Sequence, residues 1–181
     1  MGGMFGEIKV MLHNFKASLE KSHACEDDPV WELFYKKAFP TMQVMVNHRQ
    51  DGDHQRLGID RSIILRNGKQ FTIDEKARFK DYGDILLEIW SNEQYKTHGW
   101  ATKDLMCDYI AYGIIPSQRC YLLPVNQLQN ALRRNWKKWY LNNHKHRAQN
   151  TNHVTVNVAV NTQELLREIN NTLIININEA A

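Results

Sequence analysis

Cysteine, proline and glycine are scarce in this chain, and long apolar runs are absent. The three cysteines, Cys25, Cys107 and Cys120, are odd in number and share no C-x-x-C spacing. That argues against a disulfide scaffold and a cysteine-rich zinc site, and it leaves buried thiols in a reducing cytoplasm as the expectation. No apolar run approaches the roughly 20 residues that span a bilayer. The opening stretch Met1 to Lys9 lacks the apolar core and cleavage site of a signal peptide, and Gly6 stands where myristoylation needs Ser or Thr. A soluble, cytoplasmic protein with no membrane association is therefore expected. Neither G-x-G-x-x-G nor G-K-[ST] occurs, which removes the glycine-rich phosphate loops, and there are no internal repeats. Charge of one sign is missing too: 23 Lys and Arg against 20 Asp and Glu give a formal net charge of +3, which permits an anionic partner without demanding one. With 181 residues, 43% of them hydrophobic, the chain can bury a core of its own, and residues 1–181 are read as one domain.

What is present centres on residues 57 to 79. Two β-rich apolar runs flank Asn67-Gly68, the dipeptide that most readily supplies both positive φ angles of a tight hairpin turn. Alternation along the second run puts Phe71, Ile73, Ala77 and Phe79 on one face, and Thr72, Asp74, Lys76 and Arg78 on the other. On the first run Ile59, Ile63 and Leu65 can enter the core while Asp60 points the opposite way, so pairing can bring Asp60 beside Asp74. Two carboxylates forced together repel and raise each other's pKa unless a cation compensates. Hard oxygen ligands with room for water suit Mg²⁺, or Mn²⁺ in its place. The chemistry implied is phosphodiester hydrolysis: Asp60 and Asp74, with the backbone carbonyl of Glu75, would hold the ion, and Lys76 would orient the water or stabilise the developing charge.

The rest of the chain supplies context. Apolar spacing predicts a helix over residues 7–21 and a second from Asp28-Pro29 to Pro40, the acid as its cap and Trp31, Phe34, Tyr35 and Ala38 on its inner side. Residues 41–47 read as a strand and His48 to Arg56 as a polar loop beside the site. Ile85 to Trp90 reads as an interior strand whose Glu88 is either a third member of the acidic cluster or a salt-bridged strand residue. Residues 91–104, with Lys96, His98, Trp100 and Lys103, suit a loop over the mouth of the site or a surface excursion. Two strand candidates, 108–115 and 120–123, precede a long helix from Val125 to Leu141 with Leu128, Leu132, Trp136 and Trp139 as its buried stripe. Arg133, Arg134, Lys137 and Lys138 on that helix, joined by Lys145 and Arg147, fit binding of a nucleic-acid backbone or a merely solvated face. His144, His146 and His153 have no acid or cysteine at ligand spacing and read as surface residues. A strand over 153–160, a capped helix through Ile169 and a last strand or packed tail over 172–178 complete the chain.

Ile59-Asp60 and Ile73-Asp74-Glu75-Lys76 in a hairpin, with thirteen residues between Asp60 and Asp74, resemble the active-site signature of the PD-(D/E)XK nuclease superfamily. Asp60 would be its first acid, Asp74 its second and Lys76 its lysine, with Ile59 standing where the name implies proline. The order of elements is similar to the α-β-β-β-α-β core of that superfamily over about residues 26–141, with a strand-helix extension over about 150–181. The resemblance implies an α/β, restriction-endonuclease-like domain whose mixed central sheet is flanked by helices, and a Mg²⁺-dependent endonuclease acting on DNA. It also makes Glu32 a candidate further metal-facing acid, against the alternative of a solvated helix glutamate, and a homodimer plausible because two-strand cleavage commonly uses two sites. A catalytically silent nucleic-acid-binding module and a partner-binding structural protein are the alternatives.

Overall fold

The computed structural model describes residues 29–178. The helix expected over 7–21, the cap at Asp28 and Cys25 lie outside them. The described chain runs α1 (Val30–Ala38), β1 (Met42–Asn47), α2 (Gly52–Leu57), β2 (Arg61–Leu65), β3 (Gln70–Arg78), β4 (Asp84–Asn92), β5 (Thr97–His98), β6 (Tyr109–Ile114), β7 (Arg119–Pro124), α3 (Val125–Arg134), β8 (Lys145–Gln149), β9 (Val154–Asn161), α4 (Thr162–Glu168) and β10 (Leu173–Asn176). The strands form a sheet of order β1-β2-β3-β6-β7-β10 and a second of order β5-β4-β9-β8. Among the described strands only the β3–β6 pairing is parallel, so the protein is mixed α/β with a mixed sheet flanked by a few helices.

Each face of the larger sheet has its own apolar layer. On one side α1 lays Val30, Trp31, Phe34 and Tyr35 against Ile63, Ile73, Ala111, Leu122 and Ile175. Close approach of that helix depends on Gly113, because a Cβ there would sit 2.8 Å from the Trp31 ring. On the other side Ile110, Tyr112, Ile114, Tyr121 and Leu123 meet Ile85, Leu87, Ile89, Val158 and Val160 of the second sheet, closed by α3, α4 and Trp139. Side-chain alternation in β6 and β7 produces both layers from the same strands, and each Leu or Ile so buried contributes about 1.5–3 kcal/mol. Among the described residues no helix is long and apolar enough to cross a membrane.

Several elements differ from their sequence expectation for identifiable reasons. The polar stretch 48–56 contains α2, because the Asp51 side chain accepts from the Asp53 and His54 amides as an N-cap and Gly58, at φ +70°, ends the turn. The helix expected to run unbroken to Leu141 stops at Arg134: the Asn135 side chain donates to the Ala131 carbonyl, and a π-helical turn over Lys137–Leu141 follows. Lys145–Gln149 then forms an edge strand against β9. Residues 150–181, expected as an extension after the core, supply β9 to the interior of the smaller sheet and β10 to the edge of the larger one.

Candidate active site

The hairpin turn determines which residues meet. The Gly68 amide donates to the Leu65 carbonyl, the Leu65 amide donates to the Lys69 carbonyl, and within the turn only Gly68 takes a positive φ, +80°. This is a type I turn closed by a glycine bulge rather than the expected turn with both Asn67 and Gly68 at positive φ. The extra residue sets the register, with Arg61 opposite Ile73 and Ile64 opposite Gln70. One step further along, Asp60 falls across from Asp74, and its amide donates to the Ile73 carbonyl at 2.8 Å. A two-residue turn would have put Asp60 across from Glu75 and on the wrong face.

Asp60, Asp74 and Lys76 open into a cavity of about 460 Å³ between the two sheets. Arg49 and Gln55 reach it from the segment before Asp60, Trp100 and Lys103 from the segment after β5, and Leu86 and Asn157 from the second sheet. Asp60 is held firmly: its Oδ2 accepts from the Glu75 amide at 2.7 Å and its Oδ1 from Gln55 Nε2 at 2.9 Å. Burial pushes this carboxyl up, but Lys76, the Glu75 amide, Arg49 and Gln55 outweigh it and hold the pKa below the ordinary value. Asp74 has no such shell. Burial and the neighbouring Asp60 charge push it up to about 6, even though Lys76 Nζ donates to its Oδ1 at 2.5 Å. Burial works against the Lys76 ammonium, yet Asp74, Asp60 and Glu88 carry its pKa above the ordinary lysine value, so it stays charged.

The remaining candidates divide clearly. Glu88 sits on β4, accepts from the Trp100 amide at 3.3 Å and acts electrostatically on Lys76. Glu32 pairs with Lys36 at 2.6 Å on the exposed side of α1 and does not join the group. The Glu75 side chain points away from Asp74, into the α1 layer, where it accepts from Tyr35 Oη at 2.7 Å, Arg49 Nη2 at 2.7 Å and Arg61 Nε at 3.1 Å. Burial pushes the Tyr35 phenol well above its ordinary pKa, reinforced by the Glu75 charge, so it remains a donor. Cys107, close enough to Asp74 to feel its charge, is pushed up by burial to about 12 and is no nucleophile.

The six surface cations are partly compensated: Arg134 pairs with Glu168, Lys138 with Glu164 and Arg147 with Glu93. Arg133 bonds to Asn130, Lys145 lies over the Tyr140 ring, and Lys137 is exposed. Arg49, Gln55 and Asn157 also line the cavity, and no motif in the sequence marks them. The available signal for the first two was their place in the polar segment directly before Asp60, whereas Asn157 reaches the cavity only through the packing of the two sheets.

Asp60 and Asp74 form a donor set suited to a hard divalent cation, which takes one or two carboxylates and completes its shell with water. The raised Asp74 pKa marks an acid whose charge nearby cations do not fully balance. No protein-family model, curated protein or solved structure matches the chain.

Proposed function

We propose that the protein is a metal-dependent endonuclease that hydrolyses phosphodiester bonds in DNA, with a PD-(D/E)XK-type site built from Asp60, Asp74 and Lys76 in a restriction-endonuclease-like core. One observation carries this reading: buried Asp74, pushed up to about 6 beside Asp60, with a charged lysine two residues along on the same face. Fixed carboxylates that repel are costly to fold, and they cluster where function needs them.

A Mg²⁺ or Mn²⁺ ion held by Asp60 and Asp74, with the Glu75 carbonyl as a further oxygen, would supply Lewis-acid polarisation of the phosphate. Gln55 and the Glu75 amide keep the Asp60 carboxylate aimed. Lys76 presents a preorganised positive charge to the phosphate oxygens as they gain charge. Arg49 and Lys103, which line the cavity, would contact the flanking phosphates, and Arg133, Lys137 and Lys145 would add weaker contacts. Cutting both strands would use two copies of the chain.

The test is incubation of wild-type, Asp74→Ala and Lys76→Ala proteins with supercoiled plasmid, single strands and a four-way junction in Mg²⁺, Mn²⁺ or EDTA. The wild type should cleave only with metal, and Asp74→Ala should not cleave. Lys76→Ala should lose about a hundredfold or more in single-turnover rate while still binding Mg²⁺ by calorimetry. EDTA-resistant cleavage, or near-normal cleavage by Asp74→Ala, overturns the assignment.

A further inference from the structure

The segment before Asp60 carries a second group of metal-ligating side chains, chemically unlike the first. His48, Asp51 and His54 lie within seven residues of chain, and one donor atom from each falls within 4.8 Å of the others. The imidazoles of His48 and His54 stack with centroids 3.9 Å apart and planes within 9°. Each of the three side chains already has a hydrogen-bond partner. Asp51 Oδ1 accepts from the Asp53 and His54 amides, which fixes the carboxylate, while Oδ2 lies 2.8 Å from His54 Nδ1. His48 Nε2 is held 2.9 Å from Ser62 Oγ. Two imidazoles and a carboxylate are a borderline donor set, preferring Zn²⁺ and its neighbours to Mg²⁺, which takes oxygen donors alone.

We infer that His48, Asp51 and His54 form a binding site for a borderline divalent cation of the Zn²⁺ class, separate from the Asp60–Asp74 site. Three protein donors leave an open position for water, and partial exposure of both histidines gives the ion an entry path. Bringing both imidazole lone pairs onto one ion requires the stacked rings to open like a book. That motion is available at a surface segment and would not be in a packed core.

The site is tied by backbone and side chain to the first one. The His48 amide donates to the Asp60 carbonyl at 2.8 Å, and Gln55, adjacent to His54, donates to Asp60 Oδ1 at 2.9 Å. An ion bridging His48 and His54 would clamp α2 in the position from which Gln55 orients Asp60. The inference concerns binding and does not depend on the nuclease reading.

Its test uses Co²⁺, whose visible absorption reports nitrogen and oxygen ligation, titrated into metal-free wild-type, His54→Ala, His48→Gln and Asp74→Ala proteins. The wild type should bind one equivalent with visible ligand-field bands, Zn²⁺ should displace it, and excess Mg²⁺ should not. Zn²⁺ should also raise the melting temperature of the wild type. Loss of a ligand should weaken binding more than the about 10–100-fold that loss of an outer-shell partner costs. The ligand-field bands of Asp74→Ala should match those of the wild type, and circular dichroism of the histidine variants should match wild type. Absence of saturable Co²⁺ binding in the wild type, retention of it in both folded histidine variants, or its loss in Asp74→Ala each overturns the inference.

Discussion

Asp74 and Glu75 are neighbours on β3, and strand alternation sends their carboxylates to opposite faces of the same sheet. Both are buried, with side-chain exposures of 6% and 0%. Glu75 accepts from two guanidinium groups and a phenol, so its desolvation is answered by charge-assisted hydrogen bonds on both oxygens. Asp74 faces another acid and a single ammonium, and its pKa rises to about 6. Burial alone therefore does not mark a functional acid. A satisfied carboxylate fastens α1 and β2 to β3, whereas the under-compensated one remains available for a cation or a proton. Arg49 links Glu75 to the neighbour of Asp74, with Nη2 at 2.7 Å from Glu75 and 3.8 Å from Asp60.

The largest effect should come from breaking the satisfied side. Glu75→Ala removes the buried carboxylate that Arg61 and Arg49 both bond, and breaking a buried ion pair from one side costs about 3–5 kcal/mol. Urea denaturation should show the midpoint falling accordingly. A loss below about 1 kcal/mol would mean that the Glu75 network adds little to the fold and that the contrast with Asp74 is superficial.

The opposite sign is expected one residue earlier. Asp74 binds its proton more tightly in the folded protein, at about 6, than at the ordinary 3.8 of the unfolded chain. Its contribution to stability is therefore fully present below pH 3.8 and is lost as pH rises through about 6. By linkage that amounts to about 3 kcal/mol. Asp74→Asn, which imitates the protonated acid, should make the metal-free protein more stable than wild type at pH 7 by up to that amount, with little difference at pH 4. Asp60 titrates with the contrary sign, its depressed pKa adding stability above the ordinary carboxylate range and losing it on acidification. Thermal melts of both proteins across pH 4 to 8 without metal would decide the matter. A wild type whose stability rises over that range relative to Asp74→Asn would sink the account.

These differences mark the boundary of what the residues alone disclose. Alternation along β3 was legible, and so was the placement of Asp74 and Lys76 opposite Ile73, because a period of two needs no tertiary information. The apolar face of α1 was legible for the same reason at period 3.6. The meeting of Asp60 with Asp74 was anticipated, but the turn thought to produce it was the wrong kind, since Asn-Gly suits both a tight turn and a glycine bulge and only strand packing selects the register. Glu75 could be read only through its backbone, because its partners Tyr35, Arg49 and Arg61 come from three separate stretches. Division of the strands into two sheets, which makes the cavity and brings in Asn157, depends on long-range pairing that no local pattern encodes.

The finest test of the contrast is Tyr35→Phe. The ring and its packing against Trp31 stay, while the hydroxyl that donates to Glu75 at 2.7 Å is removed. Glu75 keeps both guanidinium partners, so the loss should approach the lower end of the about 1.5–3 kcal/mol found for hydrogen bonds to charged groups. If the two faces of β3 are independent, the variant should melt lower and yet keep its Mg²⁺ affinity by calorimetry and any metal-dependent cleavage unchanged. The route by which they would fail to be independent is visible: with the phenol gone, Glu75 can draw Arg49 more tightly and pull its guanidinium away from Asp60. Asp60 would then lose one of the cations that lower its pKa, and metal binding would weaken at a pH where wild type still binds. A Tyr35→Phe protein with altered Mg²⁺ affinity and an unchanged melting temperature would show that the Glu75 network tunes the Asp60–Asp74 site through Arg49.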